Sequence, residues 1–135
     1  MTSFLRLPST LLVLLAFSAG CAQLPLSPEP VKEVKPRAEE VARAALTRFL
    51  DAVEGEDWTA AWSLLQGPLR ARYTPERLRE DFAREPLAGE RLRRARLVSQ
   101  GPVRVSPTEA LFPLGEERAV RLTLEEGEYR LAAIE

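Results

Sequence analysis

The apolar residues of this chain change their repeat partway along it. From Ala38 to Glu85 they recur every three to four positions, and after Gly89 they fall on every second one. A repeat near 3.6 buries one stripe of a helix, while a repeat of 2 buries one face of a strand. Helices first and strands second predict an α+β domain, with three N-terminal helices packed on one face of an antiparallel sheet of about four strands.

The first helix is predicted over Ala38 to Val53, about 24 Å long at 1.5 Å per residue. Val41, Ala45, Phe49 and Val53 repeat along its inner face, flanked by Ala42, Leu46 and Leu50. Arg43, Thr47, Asp51 and Glu54 take the polar side, and Gly55 follows as a C′ residue. Asp57 reads as the N-cap of a second helix, Trp58 to Gln66, whose stripe is Trp58, Ala61, Trp62 and Leu65 and which Gly67-Pro68 closes. Thr74-Pro75, a cap followed by proline at the first helical position, opens a third helix to about Glu85, with Leu78 and Phe82 inward.

Alternation then takes over. Val103 and Val105 flank Arg104, and Glu109 to Leu114 carries Leu111 and Phe112, with Pro113 suited to an edge or bulge. Val120, Leu122 and Leu124 alternate with Ala119, Arg121 and Thr123. Glu125-Glu126-Gly127-Glu128 is a hairpin turn, and Tyr129, Leu131 and Ala133 return from it. Arg91 to Ser99 has arginines on both alternation faces and is expected to be a strand from about Leu92.

The residues before Ala38 are of other kinds. Residues 1–20 contain one charge, Arg6, and a short apolar run from Leu11 to Phe17. A membrane-crossing helix takes about 20 apolar residues, so this run reads as the core of a signal peptide. Residues 21–37 hold Pro25, Pro28, Pro30 and Pro36 among alternating Glu and Lys, a composition expected to form a tether rather than a core. Extended at about 3.1 Å per residue, Ala22 to Arg37 spans roughly 50 Å. Residues 38–135 remain for the folded domain.

Phe17-Ser18-Ala19-Gly20-Cys21 resembles the lipobox of bacterial lipoproteins, with serine where leucine is usual three positions before the cysteine. The resemblance implies cleavage between Gly20 and Cys21 and transfer of diacylglycerol to the Cys21 thiol. Acylated Cys21 would then hold the protein on membrane lipid, since two or more chains anchor stably where one is marginal. Ala22 after the cysteine, with no aspartate there, favours the outer membrane of a two-membrane cell. The other reading of this segment is an ordinary secretory peptide that leaves a free thiol.

Phe49-Leu50-Asp51-Ala52-Val53-Glu54, Asp57-Trp58, Ala61-Trp62, Leu64-Leu65 and Gly127-Glu128-Tyr129-Arg130-Leu131 resemble the nuclear-transport-factor-two-like superfamily, the cystatin-like α+β cone. The resemblance implies helices closing a curved, cone-like sheet. It implies little about function, because that superfamily holds enzymes, transport factors and bare scaffolds.

Composition narrows the chemistry. The chain has no histidine and one cysteine, which excludes imidazole catalysis, the commonest zinc sites, an internal disulfide and a Cys-x-x-Cys redox pair. None of the three aspartates and none of the glutamates takes an apolar-face position where desolvation would suit it to acid–base work. No cofactor and no metal ligand set is expected. A net charge of −1 gives no general attraction for nucleic acid. Trp62, Tyr73 and Tyr129 are candidates for lining a pocket, against the plainer reading that the aromatics are core. Arg91, Arg93, Arg94 and Arg96 are candidates for a basic patch facing anionic headgroups or an acidic partner, against a solvated face paired with Glu76, Glu80 and Glu85. The expectation is an envelope lipoprotein that presents a small non-catalytic binding domain to an envelope protein partner. The alternative is an enzyme or a carrier of small apolar ligands that uses the cone.

Overall fold

The computed structural model describes residues 30–135; the signal segment, Gly20, Cys21 and the first part of the tether lie outside them. Val31–Glu135 forms one compact unit, α+β as expected, with five helices rather than three.

Helix α1 spans Pro30–Glu54 and so begins within the stretch expected to be tether. Pro30 stands at its first position, where a missing N–H costs nothing. Pro36 removes one interior hydrogen bond, and the helix runs through it. The core face is Ala42, Ala45, Leu46, Phe49, Leu50 and Val53, all buried, while Val41 is 41 % exposed. Helix α1 ends in paired bonds, Asp57 N–H to the Ala52 carbonyl (2.8 Å) and Glu56 N–H to the Val53 carbonyl (3.1 Å). The left-handed residue of this ending is Glu56 (φ 57°), one position after the glycine expected to serve.

The second predicted helix divides. Helix α2 covers Trp58–Ser63, with the Asp57 carboxylate accepting from Ala60 N–H at 3.1 Å as its cap. The chain then leaves helical geometry to lie beside a strand. Leu65 bridges Leu131 in parallel, Gln66 N–H donates to the Leu131 carbonyl and Leu131 N–H to the Leu64 carbonyl, each at 2.9 Å. Unpaired edge groups are satisfied this way, at the cost of helix continuity. Gly67-Pro68 therefore opens a further helix, α3 (Gly67–Arg72), instead of closing the one before. The Glu125 carboxylate accepts from Gly67 N–H at 2.9 and 3.1 Å.

Helix α4, Pro75–Arg84, starts as its sequence predicts, with Thr74 Oγ1 accepting from Arg77 N–H at 3.2 Å. Ala88–Val98 is helix α5, not the strand expected from Leu92. Its inward positions are Ala88, Leu92, Ala95 and Val98, spaced four, three and three apart, a helical repeat carried partly by alanines. The fully buried Ser99 after it is satisfied, its hydroxyl donating to the Arg96 carbonyl at 2.7 Å.

The sheet is a four-stranded antiparallel meander of β1 (Arg104–Val105), β2 (Glu109–Pro113), β3 (Ala119–Glu125) and β4 (Glu128–Ile134), in that order. Register places Ala110 opposite Leu122, Phe112 opposite Val120 and Leu122 opposite Leu131, so these buried residues share one face. Glu109 and Arg121 pair at 3.8 Å on the other. Glu126 (φ 51°) and Gly127 (φ 80°) make the two-residue turn between β3 and β4, both left-handed as the type I′ hairpin requires. A register shift at Arg121/Leu122 leaves Ala132 without an opposing residue and returns Ile134 to the core side, opposite Val120.

Arg43, expected on the solvent side of α1, reaches the end of α5. Its guanidinium donates to the Ser99 carbonyl and, at 2.9 Å, to the Gly101 carbonyl, and its carbon lies 5.8 Å from the Phe112 ring centre. A cation suits the carbonyl end of a helix and the face of an aromatic ring.

Candidate functional site

Helices α3, α4 and α5 stand against the second half of β4 and leave an open groove of about 460 Å³ between them. Phe49 and Leu65 form its floor, and Leu69, Leu78, Phe82 and Leu92 its walls. On the sheet side it is lined by Leu131, Ala132, Ala133 and Ile134, the segment that contains the bulge. Two alanines, Ala132 and Ala133, at a bulge leave room that a regular strand with larger residues would fill. The charged lining groups, Asp81, Arg84, Glu85 and Arg91, are exposed or half-buried and form the rim.

The aromatic candidates separate. Tyr73 lines the groove, whereas Trp62 and Tyr129 do not. Trp62 instead holds the lining in place, its indole N–H donating to the Tyr73 carbonyl at 2.7 Å. Trp58 supports the same wall, its ring 5.5 Å from that of Phe82. Tyr129 is 6 % exposed, opposite Leu124 at the turn end of β4, and burial pushes its phenol above the ordinary value near 10.

The sign of that shift makes a prediction. A phenol raised in the folded state keeps its proton while the unfolded chain loses it, so the protein is fully stable below pH about 10 and loses stability as pH rises through the raised value. Tyr129→Phe is expected to remove this part of the alkaline destabilisation, with Tyr73→Phe as the comparison. Melting curves between pH about 8 and 12 measure it. Identical alkaline slopes for Tyr129→Phe and the unmodified protein would refute the assignment.

The four clustered arginines do not form one patch. At about 100° per residue, a helix sends positions 91, 93, 94 and 96 to three sides. Arg91 and Arg94 share one flank, Arg93 faces away from the core, and Arg96 takes the opposite flank. There Arg96 Nη2 lies 2.7 Å from Asp51 Oδ1 and 2.8 Å from Glu54 Oε2, with Nε 3.2 Å from Glu54 Oε1. Hydrogen bonds to Glu54, then to Asp51, hold its guanidinium more firmly protonated than usual. Arg96 is thus a clasp between α5 and α1. None of the four arginines pairs with Glu76, Glu80 or Glu85 among the described residues; Glu80 instead lies 3.9 Å from Arg84 within α4.

On the Arg91 flank a second hollow of about 370 Å³ opens, lined by Leu87, Glu90, Arg91, Arg94, Leu114, Arg118 and Glu135. Arg94 is ion-paired with Glu90. Arg118 belongs to the β2–β3 loop and carried no signal in the sequence, since the fold alone brings it to α5. Among the described residues, no helix is long and apolar enough to cross a membrane, and no three or more His, Cys, Asp or Glu side chains are grouped to hold a metal ion. No protein-family model, curated protein or solved structure matches the chain.

Proposed function

We propose that this chain is an envelope lipoprotein, anchored through acylated Cys21, whose cone-like folded domain acts as a non-catalytic binding module. The observation that carries the binding half is the groove itself. Its floor and walls are apolar, and its charged groups stand outside at the rim. Such a surface binds by excluding water from an apolar guest, at about 25 cal/mol per Å² covered, with rim charges setting orientation. A carboxylate that moves a proton must instead come within hydrogen-bond reach of the reacting atom. The anchoring half is supported by Phe17-Ser18-Ala19-Gly20-Cys21 following a short apolar run.

Each half has its test. Cys21→Ser is expected to abolish fatty-acid labelling in cells and leave a slower-migrating precursor, because the modified cysteine defines the cleavage point. Normal processing and membrane retention of that variant would remove the anchor. For the groove, a benzophenone amino acid in place of Phe82 is expected to capture a ligand or partner in native membranes, while the same group in place of Arg48 does not. Equal capture from both positions, or none from either, would remove the binding module.

A further inference from the structure

We propose that the groove and the arginine-lined hollow beside it are one bipartite site for a single-chain amphiphile with an anionic head, a carboxylate or a phosphate. This rests on the binding-module reading and names its ligand class. The two spaces adjoin. Arg91 lines both, and the consecutive pairs Leu87/Ala88 and Ile134/Glu135 divide one residue to each. The larger space, about 460 Å³, falls in the range of roughly 300–1,000 Å³ that accommodates small-molecule ligands, and it offers a hydrocarbon chain the half-buried side chains of Leu69, Phe82, Leu92 and Ile134, backed by the buried Phe49, Leu65 and Leu78.

The charged groups give the ligand a direction. Of the three arginines in the smaller hollow, Arg94 is occupied by Glu90. Arg91 and Arg118 have no carboxylate within ion-pair distance among the described residues, and they share the hollow with one further acid, Glu135. Two free guanidiniums there suit one carboxylate or phosphate, which arginine recognises through paired N–H donors. On the α4 side of the groove Asp81 and Glu85 outnumber Arg84, which is paired with Glu80, and repel an anion. The head therefore sits between α5 and the β2–β3 loop, and the chain runs under α4. An extended peptide is the poorer occupant, because the edge of β4 at Leu131 is already hydrogen-bonded to Leu64 and Gln66.

The test uses the full-length protein in vesicles of neutral phosphatidylcholine, with diazirine-bearing dodecanoic acid and the matching dodecanol as photoprobes. Light-induced adducts of the acid are expected on peptides containing Tyr73, Phe82 and Leu92. Referred to their free aqueous concentrations, competing unlabelled fatty acids are expected to gain up to about fourfold per methylene until the groove is filled. Arg91→Gln combined with Arg118→Gln, both exposed positions, is expected to cut labelling by the acid about tenfold and leave labelling by the alcohol unchanged. Competition between dodecyl phosphate and dodecanoate identifies the head, and either order supports the site. Equal labelling by acid and alcohol, adducts elsewhere, or no dependence on chain length would overturn it. If neither probe labels the protein while the benzophenone at position 82 still captures a partner, the ligand class is wrong and the binding module stands; if neither experiment yields an adduct, both fall.

Discussion

Phe49→Ala is expected to destabilise the domain by about 3–5 kcal/mol. Phe49 is 1 % exposed and lies where α1 meets both the groove and the sheet-side core of Phe112, Val120 and Leu122. Its removal loses the transfer free energy of an aromatic ring and leaves a cavity that α1 cannot close, because Leu46, Leu50 and Val53 on the same face are already buried in the core. A single domain of this size has a stability of about 5–15 kcal/mol, so the variant should show a large fall in denaturation midpoint or no folded state at all. Urea unfolding of the protein and of the conservative variant Phe49→Leu measures it, and Phe49→Leu is expected to retain most of the stability. A cost of a few tenths for Phe49→Ala would mean that the core is centred elsewhere.

Ala95→Asp is the second large effect, and it separates the two conformations open to residues 91–99. Ala95 is fully buried in α5, within the common core. A carboxylate introduced there is taken out of water, and an uncompensated buried charge costs about 3–5 kcal/mol. Arg93→Ala and Arg94→Ala, at exposed positions of the same segment, are expected to change stability by less than about 0.5 kcal/mol. A strand would put Arg93 and Ala95 on one face, and substitution at the two would then have like effects. Circular dichroism and denaturation of the three variants decide it: loss of fold for Ala95→Asp alone supports the helix, and tolerance of all three refutes it.

Much of the fold was legible along the chain because it depends on near neighbours. The Asp57 and Thr74 caps, the proline after Thr74, the stripe from Ala42 to Val53, and the alternation of Val120 and Leu122 each act within a few residues, whereas Leu124, expected on the same inner face, is 39 % exposed. So does the left-handed turn at Glu126-Gly127. The signal was weakest where small or charged residues carried the repeat. In α5 two alanines face the core and four arginines surround them, so hydropathy hides a helix that packing reveals. In Pro30–Arg37 two prolines and several charges argued for extended chain, and helix α1 includes them. The break at Leu64–Gln66 had no local cause at all, since its partner is Leu131.

The site followed the same division. Tyr73 was nameable as a pocket candidate, because a tyrosine hydroxyl that leaves water needs a partner. That Trp62 would brace it through a backbone carbonyl, that Tyr129 would lie at the far end of β4, and that Arg118 would join Arg91 while Arg96 turned to Asp51 and Glu54 required the fold. By itself the sequence determined the helix-then-strand order, the caps, the hairpin turn and the inner faces of α1 and β3. These are settled by backbone propensity and by burial of one stripe or face, which neighbours along the chain impose. Only the tertiary structure decided which arginines pair, where α2 gives way to cover a sheet edge, and that a groove stays open beside the bulge in β4. Those outcomes depend on which distant residue supplies a hydrogen-bond partner, a counter-charge or the volume to fill a space, and no local pattern encodes that partner.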